Sequence, residues 1–210
     1  MMDSYLTLGT ESEARFTVQK SVFIGHASPC VSEEEALALI RRLSEETKDA
    51  SHHCYAYIIG TNEGIMRYSD DGEPGGTAGL PMISLIRAEK VVNCCVVVTR
   101  YFGGVLLGTG GLVRAYTQGC RIALDAAGIV RMERTAHDLC EVPYACWDRV
   151  RYTLMHVPAK ITDISYGASV TFTLLTRKKD RTAVLDDLSA ATGRQFVYLE
   201  DEEQFEAWEI

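Results

Sequence analysis

Apolar residues change their period several times along the chain, and each change marks an element. Alternation around Phe16, Val18 and Phe23 predicts two strands, Arg15–Gln19 and Val22–Ala27, with a turn near Lys20-Ser21. Ser32 followed by Glu35 forms a capping box. It opens a helix to about Thr47 that carries Ala36, Leu37, Ile40 and Leu43 on one face. His52–Gly60 and Ile65–Ser69 predict strands around an Asn62–Gly64 turn, and DDGEPGGTAG (residues 70–79) is too rich in turn formers to be regular. A short helix follows with Pro81 in its first turn, where a missing amide is tolerated. Val91–Arg100 is apolar at both parities, as in a central strand covered on both faces. A glycine loop leads to a helix from about Gly110 to Ala127, with Thr109 as its N-cap and Gly128 after its last periodic residue.

The pattern restarts near Ile129–Thr135, which predicts a domain boundary and the domains 1–131 and 132–210. Beyond it come a strand within Met132–Pro143, a helix Ala145–His156, strands Lys160–Ser165 and Ser169–Thr176, a helix Asp180–Ala191 and a strand Gln195–Leu199. The order βαββαβ is that of a ferredoxin-like unit. The acidic run Glu200, Asp201, Glu202, Glu203 reads as a solvated end. The fold class is therefore α+β, a mixed α/β N-terminal domain followed by a ferredoxin-like one.

Composition narrows the setting. The chain has 210 residues, 47% of them hydrophobic and 24% charged, an ordinary balance for a globular core. No apolar run approaches the roughly 20 residues that span a bilayer. The N-terminal segment is acidic and polar, unlike a signal peptide, and no membrane association is expected. The seven cysteines are odd in number, with no pair at C-x-x-C spacing. Reduced, buried thiols and a cytoplasmic location fit them better than disulfides or zinc. A net charge of −8 gives no bulk attraction to nucleic acid, so any RNA contact needs a local basic patch.

TRYFGGVLLGTGGLVRAYTQG (residues 99–119) supplies one candidate. Gly103, Gly104, Gly108, Gly110 and Gly111 let backbone amides approach a ligand, and the helix start at Thr109 adds unpaired amides and partial positive charge, a natural anion site. The same loop reads equally as a turn that packs strand against helix. Leu112, Tyr116, Cys120, Leu124 and Ala127 share the apolar helix face, while Arg114, Gln118 and Arg121 line the opposite one. Arg100 ends the preceding strand, and Tyr101 and Phe102 could stack on bases. This local basic stripe is the footprint of phosphate contacts. Neither Walker nor Rossmann spacing is present, and no cofactor is implied.

A second cluster combines His52 with the carboxylates Asp70, Asp71 and Glu73. It could accept a proton or bind magnesium, but turn chemistry explains the carboxylates more simply and no metal-ligand spacing is present. His52, His53 and Cys54 lack a second ligand cluster, so they predict structural roles, and no metal site or catalytic residue is assigned.

Four segments, KSVFIGH (20–26), DASHHCYAY (49–57), SDDGEPGGTAG (69–79) and VTRYFGGVLLGTGGLVRAY (98–116), together resemble the YigZ/IMPACT family of intracellular proteins. The resemblance spans about the first 130 residues, and the C-terminal part is similar to the smaller domain of the bacterial members. It implies an N-terminal domain similar to domain IV of elongation factor G and to a domain of a small-subunit ribosomal protein. It implies a C-terminal domain similar to domain V of that factor. Eukaryotic relatives regulate translation under amino-acid starvation by competing for an activator of a kinase that phosphorylates an initiation factor. That role rests on an additional domain and does not carry over directly. The resulting expectation is a translation-associated binding or regulatory protein rather than an enzyme. It would contact RNA, the ribosome or a translation-associated protein through Arg100, Tyr101, the glycine loop, Arg114 and Arg121. The alternative is a small-molecule enzyme that binds a phosphorylated ligand at the glycine loop, with the acidic loop beside it.

Overall fold

A computed structural model describes residues 3–208, apart from the side chains of 201 and 202. The chain divides into two units, Met1–Arg131 and Met132–Trp208. It is mixed α+β throughout.

In the first unit, β1 (Ser4–Leu8) precedes β2 (Ser12–Val18) and β3 (Ser21–Pro29), then α1 (Glu33–Glu46), β4 (His52–Ile59), β5 (Ile65–Ser69), α2 (Gly79–Ala88), β6 (Cys94–Tyr101) and α3 (Gly108–Ala127). One sheet runs β2-β3-β6-β4-β5. β2 and β3 pair antiparallel with Val18 opposite Ser21, so their turn is Gln19-Lys20, one residue earlier than the composition predicts. Both turn residues have positive φ, the twist that a two-residue hairpin requires.

β6 is the central strand, and every residue from Cys94 to Arg100 is buried. Its period of two serves two cores. Cys94, Val96 and Val98 face α2 and α3, packing with Met82, Ile86, Tyr116 and Cys120. Cys95 and Val97 face α1, packing with Ala36, Leu39 and Leu43. Ser32 caps α1 by accepting from the Glu35 amide, while the Glu35 carboxylate accepts from Val31 N–H. Leu37 is exposed although the sequence pattern places it on the apolar face; Leu39 takes that place against the sheet. β1, unmarked by sequence pattern, joins the unit through a parallel bridge between Leu6 and Val91.

α3 crosses the sheet closely. A Cβ on Gly25 would lie 2.3 Å from the Gly119 carbonyl oxygen, so β3 and α3 pack at glycine distance. The helix starts at Gly108, and among the described residues neither Thr109 nor any other side chain caps it. Gly128, at φ 69°, ends it as expected.

The second unit is built from β7 (Ile129–Val142), α4 (Tyr144–Leu154), β8 (Ala159–Tyr166), β9 (Val170–Arg177), α5 (Arg181–Ala191) and β10 (Val197–Trp208). β7 lies between β9 and β10, and β8 borders β9. Trp147, Val150, Phe172, Leu174 and Leu188 form its core. Buried Asp138 accepts two hydrogen bonds from Arg181 at 3.0 and 2.7 Å. The acidic run expected to be a solvated end belongs to β10: Glu203 pairs with Arg134 and Lys178, and Glu200 with Arg181. All seven cysteines are buried and free. No helix among the described residues is long and apolar enough to cross a membrane.

Candidate functional site

Strand register assembles the site. Arg100 lies opposite His52 of β4 and opposite Phe23 of β3, so the three form a row across the sheet on the face that α2 and α3 cover. The same parity that buries Val96 and Val98 therefore buries Arg100, whose side chain is only 6% exposed. Its Nη1 donates to Glu73 Oε1 at 2.6 Å, and its guanidinium lies 5.4 Å from the ring centroids of both Phe23 and Phe102. Nη2 reaches Ser21 Oγ at 3.4 Å, while the buried Nε meets no acceptor. Arg100 thus leaves the exposed basic stripe in which its sequence position sets it.

Glu73 is buried as well, and its Oε1 also accepts from Tyr116 Oη at 2.7 Å. Burial raises the Tyr116 pKa, and neighbouring Cys54 and Glu73 raise it further, so this phenol stays a donor. Burial likewise pushes the Cys54 thiol up to about 12, against a lowering hydrogen bond from Tyr116. With its Sγ against the Asp70 carbonyl at 3.0 Å, Cys54 is a protonated packing thiol and not a nucleophile.

The two other carboxylates of the acidic loop hold structure. Asp70 accepts from the amides of Gly76, Ala78 and Gly79 at 2.8–2.9 Å and clamps the loop to the start of α2. Burial works to raise its pKa, but the three amide bonds outweigh it and the net shift is downward. Asp71 accepts from the His53 amide through Oδ2, and from His52 Nδ1 through its carbonyl at 2.7 Å. No three His, Cys, Asp or Glu side chains among the described residues converge as metal ligands.

A cleft of about 340 Å³ joins the two loops. His52, Glu73, Pro74 and Arg100 line one part, and Phe102, Leu106, Leu107, Gly108, Thr109 and Leu112 the other. Of the predicted residues, His52, Glu73, Arg100, Gly108 and Thr109 therefore meet in one place. Gly108 has φ +68° with open space where a Cβ would stand, so its glycine identity serves backbone conformation at the cleft wall. Gly110 and Gly111 continue the first turn of α3. The amides of that turn have no intrahelical acceptor and carry the helix's positive end.

Gly103 serves packing: a Cβ there would lie 2.0 Å from the Lys20 carbonyl carbon. Gly104 turns the chain at φ +80°. Tyr101 bonds Asp49 at 3.2 Å, away from the cleft lining. Arg121 pairs with Glu89 at 2.6 Å, which neutralises it, and Arg114 remains exposed on α3. Sequence reasoning missed the cleft contributions of Pro74, Leu106, Leu107 and Leu112, apolar side chains with no chemical signature.

Larger cavities lie elsewhere. One of about 440 Å³ is lined by β1 residues, Glu63, Lys90 and Arg131, and one of about 430 Å³ by Arg151, Tyr152, Met155 and Ile161. Neither brings a histidine together with a buried charge.

The profile of the Impact N-terminal domain matches residues 19–124, which contain every residue of this cleft. The chain belongs to the IMPACT family. A domain of unknown function, DUF1949, matches residues 140–194 of the second unit. The IMPACT family member YvyE of Bacillus subtilis is 34% identical over 195 residues, covering 92% of this chain and 89% of that one. The IMPACT family member YigZ of Escherichia coli is 40% identical over 171 residues, covering 80% and 84%. A solved structure described as a hypothetical protein aligns over 97% of this chain and 100% of its own, with a TM-score of 0.61 and 30% identity. The IMPACT signature segments thus enclose a built cleft as well as a close-packed strand and helix.

Proposed function

We propose that this IMPACT-family protein is a binding protein connected with translation regulation, and that it takes a phosphate-bearing small molecule into the cleft beside α3. The observation that carries the reading is the meeting of His52, Glu73 and Arg100 with Gly108 and Thr109 around one cavity. Cavities of this size, mostly apolar with a few convergent polar groups, are where small ligands bind. The uncapped turn of α3 supplies amides for an anion. Family membership supports the link to translation and the cytoplasm. The order β10-β7-β9-β8 supports reading the second unit as ferredoxin-like, similar to domain V of elongation factor G. The first unit is read as similar to domain IV of that factor. The reading assigns binding and no reaction.

A thermal-shift series with nucleotides, sugar phosphates and inorganic phosphate tests it. Ligand at 100 times its Kd stabilises the fold by about 2.7 kcal/mol. No shift with any phosphate compound would overturn the reading.

A second reading, contact with RNA or the ribosome, draws on exposed Arg114 and on Phe102 and Leu106, which are 48% and 84% exposed. It expects salt-sensitive cosedimentation with ribosomes that Arg114→Ala weakens.

A further inference from the structure

His52 restricts what the ligand must carry besides its anionic group. The imidazole Nδ1 lies 2.7 Å from the Asp71 carbonyl oxygen, which only accepts. Nδ1 therefore holds the proton, and in the neutral ring Nε2 presents its lone pair. Nε2 stands 3.9 Å from Glu73 Oε1, beyond hydrogen-bond distance. That oxygen already accepts from Arg100 and Tyr116, which occupy both its lone pairs. No donor among the described residues reaches His52 Nε2. The cleft thus offers unused donors on one side, the first amides of α3, with the Arg100 guanidinium behind them in the cleft lining. On the other side it offers an unused acceptor.

Resting on the reading of this cleft as a phosphate-ligand site, we infer that its ligand is a phosphorylated hydroxy compound. The phosphate sits at the start of α3, and a nearby hydroxyl donates to His52 Nε2. His52 is then a specificity-determining residue. Asp71 fixes its ring and tautomer through the carbonyl, an orienting bond of the kind that positions functional histidines. Phe102 and Leu106 offer apolar surface to the carbon skeleton between the two polar ends.

Calorimetric titration of the full chain with glycerol 3-phosphate, propyl phosphate and inorganic phosphate tests the inference. The first two share a three-carbon chain and a phosphate, and differ in two hydroxyls. Glycerol 3-phosphate should bind about tenfold tighter than propyl phosphate, the worth of one directed hydrogen bond. His52→Phe, which keeps a ring and removes Nε2, should abolish the preference, so that the two esters bind with equal affinity. His52→Gln, which keeps an acceptor near that position, should retain part of the preference and also guards against a misfolded Phe variant. Equal affinity of the two esters would overturn the inference and leave the phosphate cleft standing. A preference that survives in His52→Phe would overturn the role of His52. If no phosphate compound binds, the cleft reading fails and the inference falls with it.

Discussion

At the start of α2 the Asp70 carboxylate accepts hydrogen bonds from the amides of Gly76, Ala78 and Gly79. At the start of α3 no side chain among the described residues plays that part, and Gly108 and Thr109 instead line a cleft. Both helices belong to one unit and pack on one sheet, and both begin with amides that lack an intrahelical acceptor. The protein supplies an acceptor internally for α2 and leaves the place open for α3. Asp70 also shows what such a start does to a carboxylate: even against burial, three amides hold its pKa below the ordinary value. A helix start closed from within is structure; the open one, beside a buried ion pair and a histidine held by a backbone carbonyl, is where we propose a ligand.

The largest expected effect comes from removing a wall of the open site. Glu73→Ala leaves the Arg100 guanidinium buried without its carboxylate, and should cost about 4 kcal/mol in urea denaturation. A loss under about 1 kcal/mol would mean that Ser21, Phe23 and Phe102 hold Arg100 without the carboxylate. Next comes the closed start, where Asp70→Ala frees three amides and should cost about 3 kcal/mol. Because the folded-state pKa of Asp70 is lowered, its contribution is full above the ordinary carboxylate pKa and fades as pH falls through the folded value. Stability should therefore fall less on acidification in Asp70→Asn than in the wild type. Equal pH profiles would remove Asp70 from the account.

Gly108→Ala should be milder. Space exists for the methyl group, so the cost is the left-handed φ alone, about 1–2 kcal/mol by thermal melting. The same variant should weaken phosphate binding, which Asp70→Asn should not. The smallest effects belong to the helix-face arginines. Arg121→Ala loses an exposed pair with Glu89, worth less than about 1 kcal/mol. Arg114→Ala should change stability by no more than about 0.5 kcal/mol. If Arg114→Ala nevertheless abolishes ribosome cosedimentation, the exposed face of α3 and not its start is the working surface.

Much of this was legible in the chain. The capping box at Ser32, the punctuation at Gly128, the apolar face of α3 and the restart of the pattern before the second unit are local signals, each set by a few neighbouring residues. Elements lacking such a signal escaped. β1 has no clear alternation, and β10 runs on from the predicted Gln195–Leu199 strand through an acidic stretch in which Glu203 pairs with Arg134 and Lys178 and Glu200 with Arg181, partners from distant segments. The start of α3 was misplaced by two residues because Thr109 is a good capping residue by type but does not cap.

Sequence alone determined the order of the elements from β2 onward, the family signature and the two loops that line the cleft, since propensity, periodicity and turn chemistry act over a few residues. Tertiary structure decided what the charged residues do. Arg100 reads as a surface cation until strand register sets it opposite His52 and Phe23 beneath two helices. Asp70 and Glu73 stand three residues apart in one loop, yet one is spent on backbone amides and the other on a buried arginine. That division depends on partners at the start of α2 for Asp70 and on β6 and α3 for Glu73. A charge takes its role from whichever partner the fold brings within hydrogen-bond distance, and that partner is set by long-range pairing.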